Sequence, residues 1–284
     1  MFRRGRTGRS GFKKLLRRFL PQQQRVELEP GLLMDLDLNR ENQEFLFWFY
    51  EELESSLQWA IKTLLSMGGA FVDCGANAGL MGLLAIHWRA ARVVFIEPHP
   101  RLAETIRKNI ELNQFTSNAT VWEYAASSEK GIAFLHLDSM SDGGHSLRHR
   151  SQDGTASTVS VKTQRMDDLF LKGTLQHIDC LKVDTEGHDF HALTGLGSFL
   201  CPRHVDLIYV EMDGDYEKIW ELLSDRGYRP FASDMIYIDQ LRRLERKKDS
   251  SRFFSPIEKP GDGNLLWCAR NSCYEKLLLT ACAK

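Results

Sequence analysis

Nothing in this sequence reads as a bilayer-spanning helix, because no stretch approaches the roughly 18 uninterrupted apolar residues that crossing a membrane requires. Net charge is missing too. A formal value of -1 at pH 7 removes any overall electrostatic case for nucleic acid or an acidic membrane as the main partner. Cys74, Cys180, Cys201, Cys268, Cys273 and Cys282 form no C-x-x-C pair and have no matching His spacing, so structural zinc is not expected. Several lie in strand-like apolar runs and read as reduced thiols of a cytoplasmic protein, with Cys74 and Cys180 as small buried hydrophobes. The dinucleotide fingerprint G-x-G-x-x-G is also absent.

An apolar fraction of 43% over 284 residues is enough for one large core, so one catalytic domain with additions is expected. Charge is uneven along it: Arg3, Arg4, Arg6, Arg9, Lys13, Lys14, Arg17 and Arg18 crowd the first twenty residues with no acid among them. That leader is expected to be solvated and disordered over residues 1–24, with an anionic surface as the other candidate contact. Lys and Arg interrupt its apolar part, so it is not a secretory signal.

Alternation around Glu29-Pro30-Gly31 suggests a hairpin over residues 25–38. Phe45, Phe49, Leu53, Leu57, Ile61, Leu64 and Leu65 then recur at helical spacing, as one helix or two abutting ones. Beyond Gly68-Gly69, β-rich runs at residues 70–74, 92–97, 119–124, 178–184 and 206–212 alternate with helical patterns at 80–88, 101–112, 190–196 and 216–226. This is the signature of a parallel sheet covered on both faces, an α/β fold. Residues 132–137 and 158–163 read as an inserted hairpin around a polar loop, 138–154, placed to meet substrate. The tail offers strand-like runs at 228–231, 235–238 and 265–268, with a charged loop at 242–259.

The most informative stretch is Phe71-Val72-Asp73-Cys74-Gly75-Ala76-Asn77-Ala78-Gly79, an apolar strand entering a glycine turn and then a helix. Gly75 and Gly79 allow a sharp turn and close approach of a ligand, and the helix start at Leu80 offers free N–H groups and a positive dipole end. Glu97 closes the next strand about twenty residues on, where an acid in this architecture reaches two ribose hydroxyls. Adenosine ligands are therefore favoured over bare phosphates, with a tight turn without ligand and an NAD site as the alternatives.

Residues 71–113, with Val-Asp-Cys-Gly-Ala-Asn-Ala-Gly, Phe-Ile-Glu-Pro-His-Pro and Asn-Ile-Glu-Leu-Asn, resemble the FkbM family of S-adenosylmethionine-dependent methyltransferases. Further matches keep the family's order. They are Tyr50-Glu51, Ala125-Ala126-Ser127-Ser128, Gly143-Gly144-His145-Ser146-Leu147, Leu181-Lys182-Val183-Asp184-Thr185-Glu186-Gly187 and Val210-Glu211. The resemblance runs over roughly residues 26–270 and departs at His188-Asp189, where the family usually has Ala-Glu, and in the 242–259 loop. It implies a Rossmann-like class I methyltransferase fold, a seven-stranded mostly parallel sheet with helices on both faces and a last antiparallel strand. The organisation expected is the leader, a hairpin and helix over 25–69, the methyltransferase domain over 70–270 and a C-terminal tail over 271–284. S-adenosylmethionine is the cofactor implied. Asp73, Gly75, Asn77 and Gly79, with Ala76 between them, would surround its methionine part, Glu97 would hold the ribose, and Ala125, with Glu123 nearby, would face the adenine.

Methyl transfer asks the protein to align donor and acceptor, exclude water and take a proton. Candidates stand where the fourth parallel strand ends: Asp184, Glu186 and His188, whose other readings are cofactor orientation, helix capping and an exposed loop histidine. His145 is a lesser candidate base. Asp184, Glu211 and Asp213 are readable as carboxylates converging on a divalent cation or, as easily, as separate strand-end carboxylates, and no metal is expected. The strand lacks the Pro-Pro-aromatic run of adenine amino-methylation, and there is no Pro-Cys nucleophile for pyrimidine carbon. A small-molecule or glycan hydroxyl is the leading acceptor. An RNA methyltransferase anchored by the leader, and a non-catalytic binding protein of the same fold, stay open. Oligomeric state is not legible.

Overall fold

The computed structural model describes residues 19–51, 53–65, 68–137, 144–147, 157–212, 215–233, 254–258 and 263–282. A hairpin, β1 (Gln23–Glu29) and β2 (Leu32–Asp37), leads into helices α1 (Glu41–Phe49) and α2 (Ser55–Leu64). Strands and helices then alternate through β3 (Ala70–Cys74), α3 (Leu80–His87), β4 (Arg92–Ile96), α4 (Pro100–Leu112) and β5 (Ala119–Trp122). A three-stranded sheet of β6 (Ala125–Ala126), β7 (Gly131–His136) and β8 (Thr158–Gln164) is inserted next, followed by α5 (Asp168–Leu171). The chain re-enters the main sheet with β9 (Ile178–Val183), α6 (Asp189–Thr194), β10 (Val205–Met212) and α7 (Tyr216–Asp225). It closes with β11 (Tyr228–Ser233), β12 (Phe254–Pro256), β13 (Gly263–Ala269) and α8 (Cys273–Cys282).

The main sheet runs in the order β12-β11-β13-β10-β9-β3-β4-β5. β5, β4, β3, β9 and β10 are mutually parallel, and β13 enters antiparallel between β10 and β11. The seven strands expected are therefore present with their antiparallel member, and β12 adds an eighth at the edge. The strand bounds agree with the apolar runs to within two residues. Such runs form strands because central parallel strands are buried on both sides and need apolar residues throughout.

Period-two alternation divides their side chains between two cores. Val72, Val94, Leu181 and Ile208 pack on one face with α6 and α7, while Phe71, Phe95, Cys180 and Leu207 pack on the other with the hairpin and α1 to α3. Asp73 and Lys182 follow the second set by the same alternation. They are register partners on adjacent strands, so both rise on the face that α2 covers.

The helical pattern of residues 41–67 resolves into two helices separated by a turn. Gln58 stabilises that turn by donating through Nε2 to the Leu53 carbonyl at 2.7 Å and to the Tyr50 carbonyl. The hairpin docks through Asn113, whose Oδ1 accepts the Leu33 N–H and whose Nδ2 donates to the Leu33 carbonyl. Residues 273–282, expected as tail, form α8, and Leu278 enters the core. The expected run at 235–238, most of the 242–259 loop, residues 1–18 and most of the 138–154 loop lie outside the described residues. No described helix is long and apolar enough to cross a membrane.

Candidate active site

The carboxyl ends of β3, β4 and β9 open into a cavity of about 280 Å³. Parallel strands bring these ends to one side of the sheet, where a change of strand order leaves a crevice. Gly75 makes the crossing there possible. Its φ is +77°, and a Cβ on it would stand 1.7 Å from the Asp184 carbonyl oxygen. Only glycine accepts both conditions.

Asp73 and Glu97 are locked by backbone amides. Asp73 Oδ2 accepts the Gly82 N–H inside α3, while Glu97 accepts the Asn77 N–H on Oε2 and the His99 N–H on Oε1, each at 2.8 Å. Asn77 takes the left-handed φ of 53° to present that N–H. Burial pushes the Glu97 carboxyl up to about 7 and the Asp73 carboxyl to about 6, against the opposing pull of these amides and of Lys182.

Lys182 stands among acids. Its Nζ lies 2.9 Å from Asp184 Oδ2, 3.5 Å from Glu54 Oε1 and 3.9 Å from Asp73 Oδ1, with its side chain only 6% exposed. A buried ammonium survives only with such partners. Burial alone would lower its pKa, yet Asp184, Glu54 and Asp73 raise it well above the usual lysine value. Reciprocally, burial would raise Asp184, but Lys182 holds it below the ordinary carboxylate value. Glu54 and Glu211 go the other way: burial pushes Glu54 up to about 7 and Glu211, facing Asp184, up to about 9.

The turn after β9 is built on Asp189. Its Oδ1 accepts the Thr185 N–H at 2.8 Å and the Thr185 hydroxyl at 2.9 Å, and its Oδ2 accepts the Gly187 N–H. This fixes Glu186 and Gly187 at φ of 54° and 88°, both left-handed. Asp189, the first residue of α6, thus braces the turn that precedes its own helix. His188 Nε2 lies 3.1 Å from Ser127 Oγ, and its ring stacks on His191. Ser146 donates from Oγ to the Glu186 carbonyl at 2.7 Å, drawing the His145 segment to the cavity, where His145 stacks on His99.

Asp73, Gly75, Ala76, Asn77, Glu97, Ala125, Asp184, Glu186 and His188 all line this one cavity. Gly79 does not. It is the N-cap of α3, with Ile106 and Phe95 beside it, and so shapes the turn from behind. Glu123 also points elsewhere, paired with Arg107 at 2.8 Å on the surface. Asp184, Glu186 and Glu211 bring carboxylate oxygens within 4.8 Å of one another, and Asp213 lies outside the described residues.

The family profile described as Methyltransferase FkbM domain matches residues 73–230. The chain belongs to the FkbM methyltransferase family. Among curated proteins it is similar to methyltransferase sdnD of Sordaria araneosa, 27% identical over 187 aligned residues that cover 55% of this chain and 72% of that one. It is also similar to the hexuronic acid methyltransferase AglP of Haloferax volcanii, 24% identical over 154 residues covering 54% of this chain and 60% of AglP. A crystal structure of the methyltransferase FkbM from Methylobacillus flagellatus superposes with a TM-score of 0.44 at 15% identity, over 71% of this chain and 43% of that chain. The chain thus spans less than two thirds of AglP and of that structure.

Membership makes this an S-adenosylmethionine-dependent methyltransferase, and the cavity suits that donor. Glu97, 5% exposed and aimed by two amides, offers an anchored carboxylate to a diol, and Asn77 Oδ1 is buried without a hydrogen-bond partner among the described residues. Two charged lining residues carried no role in the sequence reading. Lys182 had a visible signal, a lysine inside the apolar run Cys180-Leu181-Lys182-Val183. Glu54 had none.

Proposed function

We propose that this protein is an O-methyltransferase acting on a hydroxyl of a sugar or related small metabolite. The carrying observation is the set of closely spaced carboxyl groups Asp184, Glu186 and Glu211, of which Asp184 and Glu186 line the cavity. Carboxylate oxygens suit a ligand rich in hydroxyls, each of which can give a hydrogen bond to them. The name of the relative AglP, a hexuronic acid methyltransferase, supports an acceptor of this class.

Bound S-adenosylmethionine supplies a methyl group already activated on a sulfonium. Asp73, Gly75, Ala76, Asn77, Glu97 and Ala125 are assigned to holding it. What remains for the protein is to orient the acceptor hydroxyl, keep water out and receive a proton. Asp184, kept ionised by Lys182, is assigned to orienting the hydroxyl. Glu186 and His188, on the turn that Asp189 holds, stand at the cavity to carry the proton away. Glu211, pushed up to about 9, is protonated at neutral pH and serves as a donor to Asp184.

The test is methyl transfer from labelled S-adenosylmethionine to the methyl glycoside of glucuronic acid, with glycerol and a short RNA as comparison acceptors. Label on the glycoside that Asp184→Asn reduces at least a hundredfold supports the reading. Label on RNA alone contradicts it.

A further inference from the structure

We propose that Ser127 is a positioning residue for His188: its hydroxyl oxygen accepts the Nε2 hydrogen and so keeps the basic lone pair of the neutral ring on Nδ1. This rests on the reading of the cavity given above, in which His188 helps to carry the acceptor's proton away. Nε2 lies 3.1 Å from Ser127 Oγ. A neutral imidazole has one N–H and one lone pair, and the partner of one nitrogen selects which is which. With the hydrogen held at Nε2, the proton leaving the acceptor hydroxyl passes to Nδ1. The ring becomes an imidazolium, keeps its Nε2–H on Ser127 and gives the new proton to solvent.

Two contacts fix this ring, and they fix different things. The stack on His191, with centroids 4.7 Å apart and planes at 25°, sets the plane. That stack would serve equally well after a half-turn of the ring, which keeps the plane and exchanges nitrogen for carbon along each edge. The bond to Ser127 admits one of the two orientations. No capping hydrogen bond to α6 competes for the side chain. His188 lines the cavity and Ser127 does not, so the serine holds the ring without standing in the ligand's way.

Ser127 is itself held independently of the ring. It is buried just beyond β6, where its N–H donates to the Gln164 carbonyl at 2.8 Å and ties it to the inserted sheet. Its own carbonyl presses on the far end of α6, where a Cβ on Gly195 would stand 2.3 Å from the oxygen. One serine therefore touches residues at both ends of that helix, His188 at the start and Gly195 at the close. Any residue larger than glycine at the close would push the serine away from the histidine. His188 also stands at one of the two places where this chain departs from the family pattern.

The test compares the full chain, wild type, Ser127→Ala and Ser127→Thr, by nitrogen NMR of the labelled ring at about pH 8, where an ordinary histidine is neutral. His188→Gln assigns the signals. Nε2 is expected to carry the hydrogen in the wild type and in Ser127→Thr, and Ser127→Ala is expected to shift the ring toward a mixture of the two neutral forms. In methyl transfer to the methyl glycoside of glucuronic acid, kcat is expected to fall about two- to tenfold in Ser127→Ala, the range for one neutral hydrogen bond, with KM unchanged and Ser127→Thr close to wild type. A hydrogen on Nδ1 in the wild type, a ring indifferent to Ser127→Ala, or a His188→Gln variant of full rate overturns the proposal. Absence of transfer by the wild type contradicts the acceptor reading instead, and the NMR comparison still decides the Ser127 contact.

Discussion

Adding one methyl group to Gly75 should damage both the fold and the donor site, and a second glycine separates the two causes of that damage. Gly173 has nearly the same backbone, φ +70° against +77°, but a Cβ there would meet nothing within 4 Å. Gly173→Ala therefore bears the left-handed conformation alone, about 1 to 2 kcal/mol. Gly75→Ala bears that and the collision with the Asp184 carbonyl, where backbone must move, for about a further 1 to 3 kcal/mol. Chemical denaturation should show Gly75→Ala to be the less stable variant by at least about 1 kcal/mol, with m-values unchanged. Because the β3 and β9 ends must separate, S-adenosylhomocysteine affinity should fall more than tenfold in Gly75→Ala and stay at the wild-type value in Gly173→Ala. Equal destabilisation of the two variants, with full binding by both, would refute the reasoning.

The buried acids give a pH dependence of definite sign. Glu54 and Glu97 rise from 4.5 to about 7 on folding, so the folded state holds more protons between these values, and stability without donor should decline as pH rises through that window. Asp184 acts oppositely, its contribution being present above 3.8 and lost as pH falls. Thermal unfolding from pH 5 to 8 checks this, and a melting temperature rising over that range would contradict it. Gly82→Ala would place a Cβ 2.0 Å from the Phe95 ring, costing about 1 to 3 kcal/mol, and Phe95→Leu in the same chain should return part of it in a double-mutant cycle. Asn113→Ala leaves the Leu33 amide and carbonyl without their partner, so about 1 to 3 kcal/mol of stability should be lost in urea titrations.

The central sheet was legible because its strands are buried on both faces and so are written as apolar runs, among them Ala70-Phe71-Val72 and Val93-Val94-Phe95-Ile96. Strand β12 was not legible, since three residues beside a charged segment carry no periodicity. α8 was overlooked because Leu277-Leu278-Leu279 has no clear apolar stripe, and its docking depends on tertiary contacts such as the Tyr274 hydroxyl on Asp179. At the site, Gly75 and Glu97 announced themselves by spacing along contiguous motifs. Glu54 reaches the same cavity from a turn between two helices. Its place follows from the left-handed backbone and the pairing with Lys182, which local sequence does not encode.

Calorimetric titration of the wild-type chain with S-adenosylhomocysteine, repeated with Glu97→Ala and with the surface variant Asp35→Ala, tests the central claim most directly. One-to-one binding that Glu97→Ala weakens more than tenfold and Asp35→Ala leaves unchanged is the predicted result. No heat of binding in the wild type, or an affinity indifferent to Glu97, would contradict the assignment of this cavity to the methyl donor.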